Sequence, residues 1–146
     1  MRFMVLMYPS EKAEQGVMPD PKAVEQMMKF NEELAKAGAL VALDGLHPSA
    51  KGARITWDRA GKPVVTDGPF TETHEVVGGY WIIQVKTKEE AVAWCTRIPS
   101  TDARKVELRQ IFEMTDFPAD VQKAADSAAG DAVRATIERV EKSARS

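Results

Sequence analysis

The sequence predicts an α+β fold: one antiparallel sheet with two helices on a single face. Three observations predict it. Four apolar stretches of strand length occur at residues 2–8, 39–43, 76–85 and 105–113. Two segments with helical periodicity follow good start signals at Asp20 and Thr87. The elements run β-α-β, an inserted hairpin and loop, then β-α-β. Two helices that each need a face to cover fit one sheet in two layers.

The elements justify themselves in order. Arg2 to Tyr8 is nearly all apolar, the pattern of a strand buried on both faces, and Pro9 ends it. Residues 10–19 are polar with Gly and Pro, hence a loop. Asp20-Pro21 supplies an N-cap acid and a proline at the first helical position. Val24, Met27, Met28, Leu34 and Ala35 then predict the buried stripe, with Asn31 falling on it. Gly38 closes this helix. Ala39 to Leu43 is the second strand. Residues 54–58 and 63–66 alternate and flank Arg59-Ala60-Gly61-Lys62, a hairpin. Val76 to Val85 is a strand whose Gly78-Gly79 pair marks a bulge or a close backbone approach.

Thr87 with Glu90 three residues later has capping-box form. Ala91, Trp94, Cys95 and Ile98 form the second helix's stripe, and Pro99 stops it. Lys105 to Glu113 alternates, with Val106, Leu108 and Phe112 on one face. The far face of such a sheet would still carry Phe3, Val5 or their neighbours, with Trp57 and Trp81. Apolar surface left in water costs roughly 25 cal/mol per Å2. A symmetric homodimer closing sheet against sheet removes that cost. Residues 118–146 form a separate C-terminal helical extension, rich in Ala and charge, beginning near Pro118. Its stripes, Val121, Ala125, Ala128 and Ala132, then Val133, Ile137 and Val140, are offset after Gly130.

Composition excludes several classes. The chain has 146 residues, 20 Lys+Arg against 22 Asp+Glu, and a net charge of −2, so the basic footprint of a nucleic-acid binder is absent. No apolar run approaches the ~20 residues of a membrane span. The first ten residues carry no cleavage signal and read as a strand. A single cysteine, Cys95, excludes an intrachain disulfide and fits a reducing cytoplasm. One Cys and two His leave little for a metal site. No phosphate loop, zinc-binding helix motif or nucleophile elbow occurs, so no cofactor is expected.

One segment stands apart: Asp67-Gly68-Pro69-Phe70-Thr71-Glu72. Asp67 can bond amides two residues on, Gly68 permits unusual φ, and Pro69 fixes its own. The result is a rigid loop presenting Phe70, Thr71, Glu72, Thr73, His74 and Glu75. It is followed by EVVGGYWII, TKEEAVAWCTRIPS and VELRQIFEMTDF. In motif, order and spacing this layout resembles the DGPF branch of the YCII-related family, over about residues 1–117.

The resemblance implies a ferredoxin-like fold assembled as a dimeric α+β barrel. One branch of that family eliminates HCl from chlorinated aromatic diols with a His and an Asp. Members are often encoded beside extracytoplasmic-function sigma factors, which makes such a factor a candidate partner. Two departures matter. The catalytic branch carries its His on the first helix, and none lies in PKAVEQMMKFNEELAKA. The DGPF branch usually has Lys after Glu-Thr, where this chain has His74. A lysine is a fixed cation, whereas a histidine titrates near neutral pH.

The candidate residues follow from chemistry. His74, between Thr73 and Glu75 with Glu72 close by, is read as a general acid or base, or as a solvated loop residue. His47 either approaches the same pocket or caps a turn carbonyl. Asp67 holds the loop or borders the pocket. Phe70 is a lid or an anchor. Asn31 is a buried amide needing a partner. Arg109, opposite in phase to Val106 and Leu108, binds an anion or pairs with a neighbouring glutamate. Tyr80 and Trp81 fall on opposite faces, and one enters the space between sheets. Cys95 reads as a small hydrophobe.

Two functions remain open at this point, and whether the chain is an enzyme remains open with them. One is small-molecule binding with proton transfer, an isomerisation or elimination, in a dimer pocket lined by His74, Asp67, His47, Phe70, Glu72, Tyr80, Asn31 and Arg109. The other is a non-catalytic interaction module that binds a sigma factor through the extension.

Overall fold

The computed structural model describes residues 1–99 and 103–144. It contains strands β1 (Arg2–Pro9), β2 (Leu40–Gly45), β3 (Ala53–Trp57), β4 (Pro63–Asp67), β5 (Gly79–Gln84) and β6 (Ala103–Gln110). The helices are α1 (Glu11–Glu14), α2 (Pro21–Lys36), α3 (Lys88–Cys95), α4 (Ala119–Ala125) and α5 (Ala128–Ala144). Single 3-10 turns lie at Ser49–Lys51, Thr73–Glu75 and Met114–Asp116.

Four strands form one sheet in the order β2-β5-β1-β6, with every pairing antiparallel. With α2 and α3 as its two long connections, this is the ferredoxin-like arrangement. Strands β3 and β4 form a separate hairpin between β2 and β5. Residues 1–111 make one compact unit. Residues 112–146, with α4 and α5, make a second.

Local chemistry sets the helix ends. The Asp20 carboxylate accepts the Lys22 amide at 2.7 Å, with Pro21 as the first helical residue. Gly38 takes φ +69°, which a side chain would resist. The Thr87 hydroxyl accepts the Glu90 amide at 3.1 Å, and the Glu90 carboxylate accepts the Lys86 amide at 3.0 Å. Within the expected loop 10–19, Ser10 caps the one-turn helix α1 by accepting the Ala13 amide at 3.3 Å.

The core joins one sheet face to α2 and α3. It contains Phe3 and Val5 of β1, Trp81 and Ile83 of β5, Phe30 and Leu34 of α2, and Ala91 of α3. The α2 stripe differs from the expected one. Its buried line is Ala23, Met27, Phe30, Asn31 and Leu34, whereas Val24, Met28 and Ala35 are exposed. Phe30 decides the rotation. Its ring meets Trp81 and Trp94 edge-on, with centroids 6.1 and 6.3 Å away. The expected stripe of α3 holds: Ala91 is fully buried, and Trp94, Cys95 and Ile98 pack against the core.

Other expectations change. β1 is buried on one face only, and its burial alternates along the strand. Phe3, Val5 and Trp81 face the helices, so their neighbours Met4, Leu6, Tyr80 and Ile82 take the far face. Trp57 belongs to the hairpin and is 68% exposed. Strand β5 starts at Gly79, and Gly78 before it lies against the Pro9 ring and donates its amide to the Met7 carbonyl at 2.8 Å. Strand β6 stops at Gln110. Phe112 therefore leaves the face of Val106 and Leu108 and packs on Phe117 with centroids 5.0 Å apart. In the second unit the helical break falls at residues 126–127, and Gly130 lies inside α5, where the Ala125 carbonyl occupies the space a Cβ would need.

Asn31 is 8% exposed, and its carbonyl accepts the Trp81 indole N–H at 2.8 Å. It sits on the helix side of the sheet. Asn31 is the expected buried amide, and the partner it needs is the indole that fills the core. Asn31→Leu leaves a buried N–H without a partner and should cost about 1–3 kcal/mol in urea unfolding. Adding Trp81→Phe should make the two losses less than additive, and strict additivity would show the bond contributes nothing.

Candidate ligand-binding face

The face of the sheet turned away from α2 and α3 is built by strand alternation. Register places Asp44, Tyr80, Leu6 and Glu107 in one row across the four strands. The next row is Ala42, Ile82, Met4 and Arg109. Tyr8 stands one step further along β1, opposite Lys105. The centre is apolar, through Met4, Leu6 and Ile82, and half-buried.

The polar groups at its sides are paired. Tyr80 donates its hydroxyl to Asp44 Oδ2 at 2.8 Å. Tyr8 donates to Glu107 Oε2 at 3.4 Å. Arg109 Nη1 donates to Glu107 Oε1 at 3.3 Å, and the Lys105 ammonium sits 4.1 Å from the centre of the Tyr8 ring. Tyr80 and Glu107 flank Leu6 two interstrand spacings apart, roughly 10 Å.

Both phenols are held above their ordinary pKa. For Tyr80 the hydrogen bond to Asp44 is the main cause, followed by the charge of that carboxylate and then by burial. For Tyr8 burial comes first, then the charge of Glu107 and the hydrogen bond to it; the Glu75 carboxylate adds to the rise and Arg109 opposes it. Both hydroxyls therefore stay protonated at neutral pH and act as donors.

The loop after β4 is anchored from a distance. The Gly68–Pro69 peptide bond is cis. The Gly68 amide donates to the Gly52 carbonyl at 2.9 Å, and a Cβ on Gly68 would overlap the Ser49 carbonyl. The Phe70 amide donates to Ser49 Oγ at 3.0 Å. Ser49 is buried, and both its amide and its hydroxyl donate to Glu14 Oε1 of α1. The Phe70 ring lies under the Arg54 guanidinium of β3, 4.0 Å from it. The expected Asp67 turn is absent: Asp67 ends β4 opposite Ala53 with its carboxylate exposed, and Ser49 holds the loop instead.

Among the sequence-derived candidates, Tyr80 and Arg109 stand on the face. His74 and Glu72 lie on the loop, at the 3-10 turn whose Glu75 acts on Tyr8. His74 and Glu72 are both exposed. His47 is exposed between β2 and Ser49. Sequence reading missed Tyr8, Asp44 and Ser49, whereas Glu107 is one of the two neighbouring glutamates, with Glu113, expected as a partner of Arg109. Period-two alternation from Leu6 reaches Tyr8, so one of these was available from phase alone. Ser49 gave no such signal.

A cavity of about 10 Å3 lies in the core between Phe30, Trp81 and Trp94, room for one water at most. A crevice of about 330 Å3 opens at Lys12, Met18 and Lys22, where α1 leads into α2. Neither is lined by residues of the loop after β4. Among the described residues no His, Cys, Asp and Glu cluster could hold a metal, and no helix is long and apolar enough to cross a membrane. Burial pushes the Cys95 thiol up, away from nucleophilic use.

The chain has two tyrosines, 8 and 80, so tyrosinate absorbance reports this face alone. Both should ionise above the ordinary value of about 10. A raised folded-state phenol stabilises the fold fully below the unfolded value, and that contribution is lost as pH rises through the folded value. Asp44→Asn should move one of the two transitions down toward the ordinary value. Two transitions at the ordinary value in the wild type would contradict the pairing.

The YCII-related domain matches residues 1–115. An uncharacterised protein of Rhizobium meliloti (strain 1021) is 27% identical over 114 residues, covering 75% of this chain and 86% of the relative. Among solved structures, 5-chloro-2-hydroxyhydroquinone dehydrochlorinase from Burkholderia phenoliruptrix AC1100, in complex with 2,5-dihydroxybenzoquinone, aligns with a TM-score of 0.45 at 11% identity, covering 81% of this chain and 100% of that one. With the domain matched over most of its length, this chain belongs to the YCII-related family.

Proposed function

We propose that the uncovered face binds a small ring-bearing molecule with hydroxyl or carboxylate substituents, inside a chamber closed by a second copy of the chain, and moves a proton on it. One observation carries the reading: two phenol–carboxylate pairs, Tyr8–Glu107 and Tyr80–Asp44, flank the apolar floor of Met4, Leu6 and Ile82. The floor suits a ring and the phenols suit its oxygens. The carboxylates are acceptors for a proton leaving the ligand, as in isomerisation or elimination. Arg109 and Lys105 supply positive charge for an anionic form. His74 and Glu72, exposed on the loop that Phe70 helps to fix, are the further acid–base groups of this reading. His47 and Asp67 stand next to the two segments that Ser49 joins, a supporting place rather than a chemical one.

A panel of hydroxylated aromatic acids and diols, titrated by calorimetry, tests this. One or more should bind. Each of Tyr8→Phe and Tyr80→Phe should weaken binding about 2–12-fold, the worth of one hydrogen bond. No binding across the panel, or undiminished binding by the double variant, would count against it.

A further inference from the structure

We infer that Glu14 and Ser49 are positioning residues of the loop after β4, setting where Phe70 and the Thr73–Glu75 turn stand. Ser49 is 6% exposed, and its hydroxyl works in both directions: it accepts the Phe70 amide at 3.0 Å and donates to Glu14. Its own amide also donates to Glu14, at 2.9 Å. One carboxylate oxygen on α1 therefore fixes both polar groups of Ser49. Ser49 in turn fixes the start of the loop, because its carbonyl packs where a Gly68 side chain would be.

The far end of the loop is fixed separately. Gly78 donates to Met7 at 2.8 Å, and its own carbonyl accepts the Leu46 amide at 2.9 Å. Between these two anchors lies the Thr73–Glu75 turn. Releasing the Ser49 end removes one tie on residues 68–75 and leaves the Gly68–Gly52 hydrogen bond, the Gly78 anchor and the stack of Phe70 on Arg54. A buried hydroxyl bonded to a charged acceptor is worth more than a surface one, since its alternative is an unpaired buried group.

The functional meaning of this link rests on the proposed ligand face, but its test needs no ligand. Amide hydrogen exchange of the full-length chain reads the loop directly. Ser49→Ala should raise exchange at residues 68–75 by about tenfold, with β1 and β5 unchanged. Glu14→Ala should loosen the same residues. Glu14→Gln, which keeps an acceptor oxygen, should restore them. Where Ser49→Ala fails to fold, the Glu14 pair decides, because that side chain sits at the end of a one-turn helix. Unchanged exchange at 68–75 in folded variants, or a rise spread evenly over the sheet, would overturn the inference. Failure of the ligand panel with loop-confined exchange would sink the ligand reading and leave this one standing.

Discussion

The unequal treatment of the two sheet faces governs the rest of the molecule. One face is sealed by α2 and α3 around Phe3, Val5, Trp81 and Ile83. The Trp81–Asn31 hydrogen bond lets a large indole fill that core with its polar atom satisfied. The other face keeps Met4, Leu6 and Ile82 only half covered and surrounds them with paired phenols and carboxylates. Apolar groups at the centre of an open sheet face are unfavourable in water, and they become useful when something lies over them.

The loop carrying Phe70 and His74 follows β4. Its geometry comes from outside the motif. Ser49 and Glu14 belong to segments on either side of β2 and α2 in sequence, yet they meet at Gly68 and Phe70. A glycine is required at position 68 because another backbone occupies its side-chain space. The loop, the 3-10 turn at Ser49 and the short helix α1 thus form one connected support.

Much of the fold was legible in the sequence. Caps at Asp20 and Thr87 and the glycine at 38 act locally, so local chemistry predicts them; the Gly78-Gly79 pair signals a close approach without saying that Pro9 and Asp44 make it. The α2 face was misassigned because periodicity alone weighs Val24 and Met28 equally with Phe30; the size of the aromatic cluster settles the rotation. Phe112 was placed with the strand because alternation does not show where pairing ends. The candidate site was legible in part. Tyr80 and Arg109 follow from phase, whereas Asn31 resembles a site residue until its partner Trp81, fifty positions away, is known. Ser49 was invisible because its role depends on two segments remote in sequence.

Sedimentation equilibrium of the wild type beside Leu6→Glu puts the central claim to its most direct trial. If a second copy covers the open face, the wild type sediments with twice the chain mass and the charged variant with the mass of a single folded chain. A wild type that stays a single chain at high micromolar concentration, or a variant that still pairs as tightly, would contradict the account.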